Sequence, residues 1–62
     1  MKRHELLDHL RRHGCELERE GSRHTIFRNI GGGQLVPVPR HVEIDNRLAR
    51  RICQQLGVAA PR

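Results

Sequence analysis

Glycine-containing turns divide the middle of this chain into three short segments, and this spacing strongly constrains the fold. The turns fall at Gly14, Gly21 and Gly31–Gly33, and the segments that follow them cover residues 15–19, 23–30 and 34–38. These segments show apolar–polar alternation or are rich in Thr, Ile and Phe, as is typical of strands. Because the connections between them are short, the three strands are predicted to form an antiparallel sheet.

Amphipathic helices are predicted on both sides of the strands. The first covers residues 2–13, where leucines recur at helical spacing, and Gly14 caps its end. The second runs from about Asn46 to Leu56, with Asp45 as its N-cap. Each helix has one apolar stripe, so one face of the sheet can bury both. The predicted fold class is therefore α+β, a two-layer sandwich of helix, three antiparallel strands and helix.

Length and charge narrow the possible functions. A chain of 62 residues is expected to form one domain, residues 1–62, without room for a deep cavity. Its 12 Lys and Arg residues against 7 Asp and Glu residues give a net charge of +5. That charge suits a polyanion such as RNA, although a solvated basic surface explains it equally well. The sequence has neither a phosphate-binding Gly-rich loop nor a cysteine pair at metal spacing, so no metal or cofactor is predicted.

Cysteine usage and hydropathy bear on the compartment. The chain has only two cysteines, Cys15 and Cys53, whereas small secreted scaffolds usually carry more cysteines. Both are therefore predicted to be reduced and buried. No apolar signal core or membrane-spanning run is present in the sequence. We therefore expect a cytoplasmic protein without a membrane partner.

His24 is the residue best suited to chemistry. An imidazole moves protons near neutral pH, and arginine grips phosphate through a bidentate fork. The hypothesis is that His24 transfers protons on an RNA backbone while Arg23 or Arg28 lies near the phosphate. Basic residues at the start of the first helix, Lys2 and Arg3, are further candidates for binding nucleic acid. The alternative is that His24 is an ordinary strand residue.

Strand alternation leaves the position of His24 open. If Phe27 points towards the helices, His24 and Arg28 share the open face and Arg23 points away from it. Ile26 then becomes an exposed apolar residue suited to a protein partner. If Ile26 belongs to the core, His24 must lie near the end of the sheet. The same alternation predicts that the solvent-facing side of the first strand is formed by Glu16, Glu18 and Glu20. Their negative charges could balance that of Arg23 or Arg28.

Zinc binding is a weaker possibility for the first helix. His9 and His13 are four residues apart and share a face, where His4 or Cys15 could join them. Zinc sites usually need four ligands at tighter spacing, so the pattern favours a solvated polar face.

Three motifs together resemble the HicA family of bacterial toxins. The first is the turn and strand from Gly21 to Asn29, the second is Pro39-Arg40-His41, and the third is the helix end Ile52–Val58. The family pattern places Ser directly before His, whereas here Arg23 separates Ser22 from His24. The resemblance covers nearly the whole chain and implies a fold like that of double-stranded-RNA-binding domains.

The resemblance also implies a function. It identifies the chain as a toxin that cleaves messenger RNA, with His24 as the catalytic residue. His41 is a second proton carrier or a residue that orients the turn, and the second role is favoured. Cleavage by the RNA's own 2′-hydroxyl needs no metal, so a metal-independent endoribonuclease is expected. The implied partner is a HicB-type antitoxin that covers the histidine, and DNA would be reached only through that antitoxin. A non-catalytic RNA-binding module of the same fold is the alternative, and a transcriptional regulator is disfavoured because no helix-turn-helix pair precedes the last helix.

Overall fold

The computed structural model describes residues 1–61 and contains the predicted order of helix, three strands and helix. The elements are α1 (Arg3–Arg12), β1 (Cys15–Glu20), β2 (His24–Asn29), β3 (Leu35–Pro39) and α2 (Asn46–Leu56). The predicted strand boundaries differ from these by one residue, and α2 has the predicted bounds. The α+β class is confirmed.

Local sequence explains where α2 begins and ends. The Asp45 side chain accepts a hydrogen bond from the Arg47 backbone N–H at 2.8 Å, which satisfies a free donor of the first turn. At the other end Gly57 has φ 76°, a left-handed conformation that favours glycine. The Val58 N–H then donates to the Cys53 carbonyl at 2.9 Å, so the chain turns back over the last helical turn.

The sheet has the strand order β1-β2-β3, and both pairs are antiparallel. β2 is the central strand and hydrogen-bonds on both edges. Pro37 and Pro39 lack an amide donor and lie in β3, at the edge of the sheet, as the prolines predict. In the β2–β3 register, His24 lies opposite Pro39 and Thr25 lies opposite Val38.

Both helices pack on one face of the sheet, and Phe27 lies at the centre of that layer with none of its surface exposed. Burying a side chain of this size stabilises the fold by about 1.5–3 kcal/mol. The rest of the core comes from both helices, the sheet and the segment before α2: Leu6, Leu7, Leu10, Cys15, Val36, Val38, Ile44, Ala49, Ile52, Cys53 and Leu56.

Two leucines next to the core are partly exposed. Leu17 lies opposite Phe27 and therefore on the helix side of the sheet, but 44% of its surface is exposed because β1 is an edge strand. Leu48 is 37% exposed, at the border of the apolar stripe of α2.

The segment between β3 and α2 is tied to the beginning of α1. The Arg3 backbone N–H donates to the Val42 carbonyl and the Ile44 N–H donates to the Met1 carbonyl, both at 2.8 Å. An isolated antiparallel bridge joins Lys2 and Glu43. These bonds bring the start of α1 to the end of the sheet where β2 begins. Among the helices of residues 1–61, none is long and apolar enough to cross a membrane.

Candidate functional site

His24 lies on the open face of the sheet, at the first position of β2. Phe27 and Thr25 are buried beneath the helices, so strand alternation directs His24, Ile26 and Arg28 to the opposite face. Of the two arrangements that the sequence allows, the structure has the one in which Phe27 faces the helices and His24 lies on the open face. His24 is exposed and Ile26 is half-buried. The His24 carbonyl accepts hydrogen bonds from Gly21 and Arg40, and none is found for its imidazole within residues 1–61.

The turn before His24 is closed by its own backbone and by Arg40. The Gly21 N–H donates to the His24 carbonyl at 2.7 Å. A Cβ at Gly21 would lie 3.0 Å from that same carbonyl oxygen, so a glycine fits the close approach. The Arg40 guanidinium donates to the carbonyls of Gly21, Ser22 and His24, the last two at 3.3 Å. The backbone on the N-terminal side of the imidazole is therefore fixed by several bonds.

A polar network extends from Arg40 beneath the site. Glu20 Oε1 accepts from Arg40 Nη2 and from Thr25 Oγ1, each at 2.8 Å. Thr25 Oγ1 in turn accepts from Arg3 Nη2 at 2.7 Å, and Arg3 Nε donates to the Pro39 carbonyl at 3.1 Å. Because Pro39 is the register partner of His24, the network connects α1 and all three strands at this end of the sheet.

The ion pair with Arg40 also sets the charge of Glu20. Hydrogen bonds from Arg40 first, and then from Thr25, lower the pKa of the Glu20 carboxyl below its ordinary value. The carboxylate therefore stays ionised in mild acid and continues to orient the Arg40 fork.

Glu20 is part of this network because β1 contains an irregularity. The β1–β2 register shifts between Leu17 and Arg19, which leaves Glu18 as an extra residue opposite β2. Glu20 then lies opposite Thr25 on the helix side of the sheet, whereas Glu16 lies opposite Arg28 on the open face. The prediction that Glu16, Glu18 and Glu20 share one side is wrong for Glu20 for this reason.

Comparison with known families identifies the chain. The family described as HicA toxin of bacterial toxin-antitoxin matches residues 3–58 of the 62-residue chain. This chain belongs to the HicA toxin family. It is thus the toxin component of a bacterial toxin–antitoxin pair, and the resemblance carried by Gly21–Asn29, Pro39–His41 and Ile52–Val58 is confirmed. Searches of curated proteins and of solved structures found no match to this HicA toxin.

In this HicA toxin, two of the predicted phosphate-binding arginines are already paired within the protein. Arg3 is half-buried and donates to Thr25 and Pro39. Arg28 Nη2 donates to Glu16 Oε1 at 3.0 Å, and its Nε lies 3.2 Å from Glu18 Oε1 without hydrogen-bonding geometry. Both guanidiniums therefore bind other groups of the protein, and of the two only Arg28 borders the open face.

The other predicted residues remain accessible. Lys2 forms a long ion pair with Glu43, with 3.8 Å between Nζ and Oε1. Arg23 is exposed in the turn next to His24, and no ion pair of its guanidinium is found within residues 1–61. His41 is exposed two residues beyond Pro39, so it belongs to the same end of the sheet as His24.

His9 in α1 and His13 at the C-cap of α1 form a different arrangement from the one considered for zinc. The rings of His9 and His13 are 4.3 Å apart between centroids and tilted by 39°, and His9 Nε2 lies 2.7 Å from the Ala59 carbonyl oxygen. Among residues 1–61, no group of three or more His, Cys, Asp or Glu side chains is placed to hold a metal ion. A shallow groove along α1 is lined by His4, Asp8 and their neighbours and does not include His24.

Both cysteines are free and buried, as predicted. Burial raises the pKa of the Cys15 and Cys53 thiols, and the proximity of Cys15 raises that of Cys53 further. Both sulfurs belong to the core below the sheet and not to the open face.

Arg40 and Glu20 are the residues of the site that sequence reasoning missed. Arg40 lies in the middle of the Pro39-Arg40-His41 motif, in which the sequence predicts a role for His41 alone. An arginine directly after an edge strand, opposite a glycine turn, was the available signal. Its partners are backbone carbonyls, which no side-chain pattern reveals.

Proposed function

We propose that this HicA toxin is an endoribonuclease that cleaves messenger RNA through proton transfer by His24. The observation that carries the proposal is the exposed imidazole of His24, which stands on an open sheet face above a backbone that Arg40 and the Gly21 N–H hold in place. An RNA strand can reach such a surface without entering a cavity. Membership of the HicA family supports the same assignment.

The chemistry requires few groups. The RNA 2′-hydroxyl attacks the adjacent phosphorus, its proton is accepted by a base, and an acid protonates the departing 5′-oxygen. The products are a 2′,3′-cyclic phosphate and a 5′-hydroxyl, and no metal ion takes part. His24 serves as the base or as the acid, and the guanidinium of Arg23 or Arg28 balances the charge on the phosphate. His41, at the same end of the sheet, orients the turn or carries a second proton.

We infer that the partner is a HicB-type antitoxin that covers the open face. Half-buried Ile26 and Leu35, which is 56% exposed, give that face apolar area, and the net charge of +5 favours an acidic partner. A bound antitoxin there would shield His24 from RNA, and DNA would be reached only through the antitoxin.

Cleavage of single-stranded RNA in EDTA by wild type and by His24→Ala tests the proposal. We expect His24→Ala to lower the rate about 10²–10⁴-fold, the usual contribution of a general acid or base. His13→Ala is the matched control, because it removes an exposed imidazole beyond the opposite end of β2, next to Gly14. Circular dichroism establishes that both variants fold.

Three outcomes contradict parts of the proposal. Full activity of folded His24→Ala would remove His24 from the mechanism. Cleavage abolished by EDTA would overturn metal independence. Salt-sensitive RNA binding by the wild type without cleavage would identify a non-catalytic RNA-binding module.

A further inference from the structure

Arg40 makes an unusual set of contacts for an exposed arginine. Its Nη1 donates to the Ser22 carbonyl, and its Nη2 donates to the carbonyls of Gly21 and His24 and to Glu20 Oε1. Three of the four acceptors are therefore backbone oxygens of the turn that leads into β2. Both Nη atoms of this guanidinium are therefore engaged within the protein.

The geometry of these acceptors suits arginine and not lysine. The carbonyls of Gly21, Ser22 and His24 converge on one planar group, which can donate in two directions at once. A lysine ammonium carries the same charge as a point and cannot span the set. Charge alone therefore does not account for the contacts, but a planar fork does.

The contacts hold the backbone of His24 and leave its imidazole free. The His24 carbonyl accepts from both Arg40 and the Gly21 N–H, and its register partner Pro39 is held through Arg3. Glu20 receives Arg40 and Thr25 and so connects the turn to the buried face of the sheet. The base of the imidazole is fixed from two sides.

We propose that Arg40 is a positioning residue, which orients His24 for proton transfer by holding the turn from Gly21 to His24. The inference rests on the proposed function of His24. Displacing a proton carrier by about 1 Å can lower the rate about 10²-fold, and replacing Arg40 removes no group assigned to RNA binding. Loss of Arg40 should therefore act on kcat and leave KM almost unchanged.

Steady-state cleavage of one RNA by four proteins tests this: wild type, Arg40→Gln, Arg40→Lys and Arg12→Gln. We expect Arg40→Gln to lower kcat about 10–10²-fold with KM within about twofold, and Arg40→Lys to recover part of the loss. Arg12→Gln is the matched control, because it removes an exposed arginine paired with Asp8 at 2.8 Å and leaves the turn untouched. Its kcat should equal that of the wild type.

Amide hydrogen exchange at Gly21 supplies the second readout. The Gly21 N–H donates to the His24 carbonyl, so it should exchange faster in Arg40→Gln and unchanged in Arg12→Gln. If Arg40→Gln does not fold, Arg40→Lys and Glu20→Gln replace it in the test. Arg40→Lys keeps the positive charge but loses the planar guanidinium. Glu20→Gln keeps the guanidinium but loses the carboxylate that pairs with it.

The outcomes separate the two proposals. Wild-type kcat in Arg40→Gln, or a raised KM at unchanged kcat, would overturn the positioning role while leaving His24 as the catalytic residue. An equal loss in Arg12→Gln would also overturn it. Failure of the wild type to cleave RNA would overturn the proposed function and this inference together.

Discussion

A polar side chain forms hydrogen bonds at each end of β2, but the two ends differ in which groups these bonds leave free. At its C-terminal end, Asn29 Oδ1 accepts from the N–H groups of Gly31 and Gly32, and Nδ2 donates to the Leu56 carbonyl at 2.7 Å. At its N-terminal end, the hydrogen bonds are made by Arg40 to the backbone around His24.

The difference lies in which groups remain free. Asn29 uses both its carbonyl and its amide within the protein, connecting the β2–β3 turn to the end of α2. No hydrogen bond of the His24 imidazole is found within residues 1–61, so its side chain stays available to a ligand. One end of the strand is therefore organised for stability, and the other end is organised to hold a reactive group in a fixed place.

The largest effect on stability is expected at the Asn29 end. Asn29→Ala removes three hydrogen bonds and leaves the Leu56 carbonyl without that donor, which should lower the free energy of unfolding by about 1–3 kcal/mol. RNA cleavage by the folded fraction should remain, because Arg40 and His24 are untouched. Urea unfolding and cleavage assays on the same sample measure the two effects.

Gln55→Ala is the matched control for that variant. It removes an exposed amide from α2, and no side-chain hydrogen bond of Gln55 is found within residues 1–61. Stability should change by no more than about 0.5 kcal/mol. If folded Asn29→Ala lost cleavage as strongly as His24→Ala, the division between the two ends would be wrong.

Local patterns were sufficient to predict most of the fold. Apolar spacing located α1 and α2, Asp45 and Gly57 defined the limits of α2, and glycine turns separated the strands. These features act over a few residues, so the sequence carries them directly. The His24 position was narrowed to two arrangements, and the burial of Phe27 decided between them.

The remaining errors come from contacts between distant residues. The irregularity at Glu18 changes the side on which Glu20 lies, and nothing in the alternating sequence marks an extra residue. Arg3 looked like a free cation because its partner Thr25 is 22 positions away. Arg40 was missed because it binds carbonyl oxygens, which every residue possesses.

A smaller effect is expected from Glu20 in acid. Its pKa is lowered in the folded protein from an ordinary value of 4.5, so its contribution to stability is present above that pH. The contribution is lost as the pH falls from that value through the lower folded pKa. Thermal unfolding from pH 6 to about pH 3 should therefore show a smaller acid loss in Glu20→Gln than in the wild type.

Arg40→Gln serves as the companion variant in that series. Because the hydrogen bond from Arg40 is the largest cause of the lowered pKa, removing it should reproduce most of the change seen in Glu20→Gln. If stability fell by the same amount with decreasing pH in the wild type and in both variants, this network would make no contribution to the pH dependence of stability.

The smallest expected effect concerns Arg28, between the two ends of β2. Arg28 pairs with Glu16 at 3.0 Å and borders the open face, so the carboxylate competes with any phosphate for the guanidinium. Glu16→Gln should change stability by no more than about 1 kcal/mol, as exposed pairs do. If the freed Arg28 takes a phosphate, RNA affinity should rise, and the slope of log affinity against log salt should steepen by about 0.7.

Asp8→Asn separates that contact from a change in net charge. It removes one carboxylate that pairs with Arg12 on α1, so it alters the total charge as Glu16→Gln does. A similar gain in affinity from both variants would mean that charge alone acts and that Arg28 is not a phosphate contact. A steeper slope in Glu16→Gln alone would extend the binding surface along β2, from the exposed end at His24 towards the closed end at Asn29.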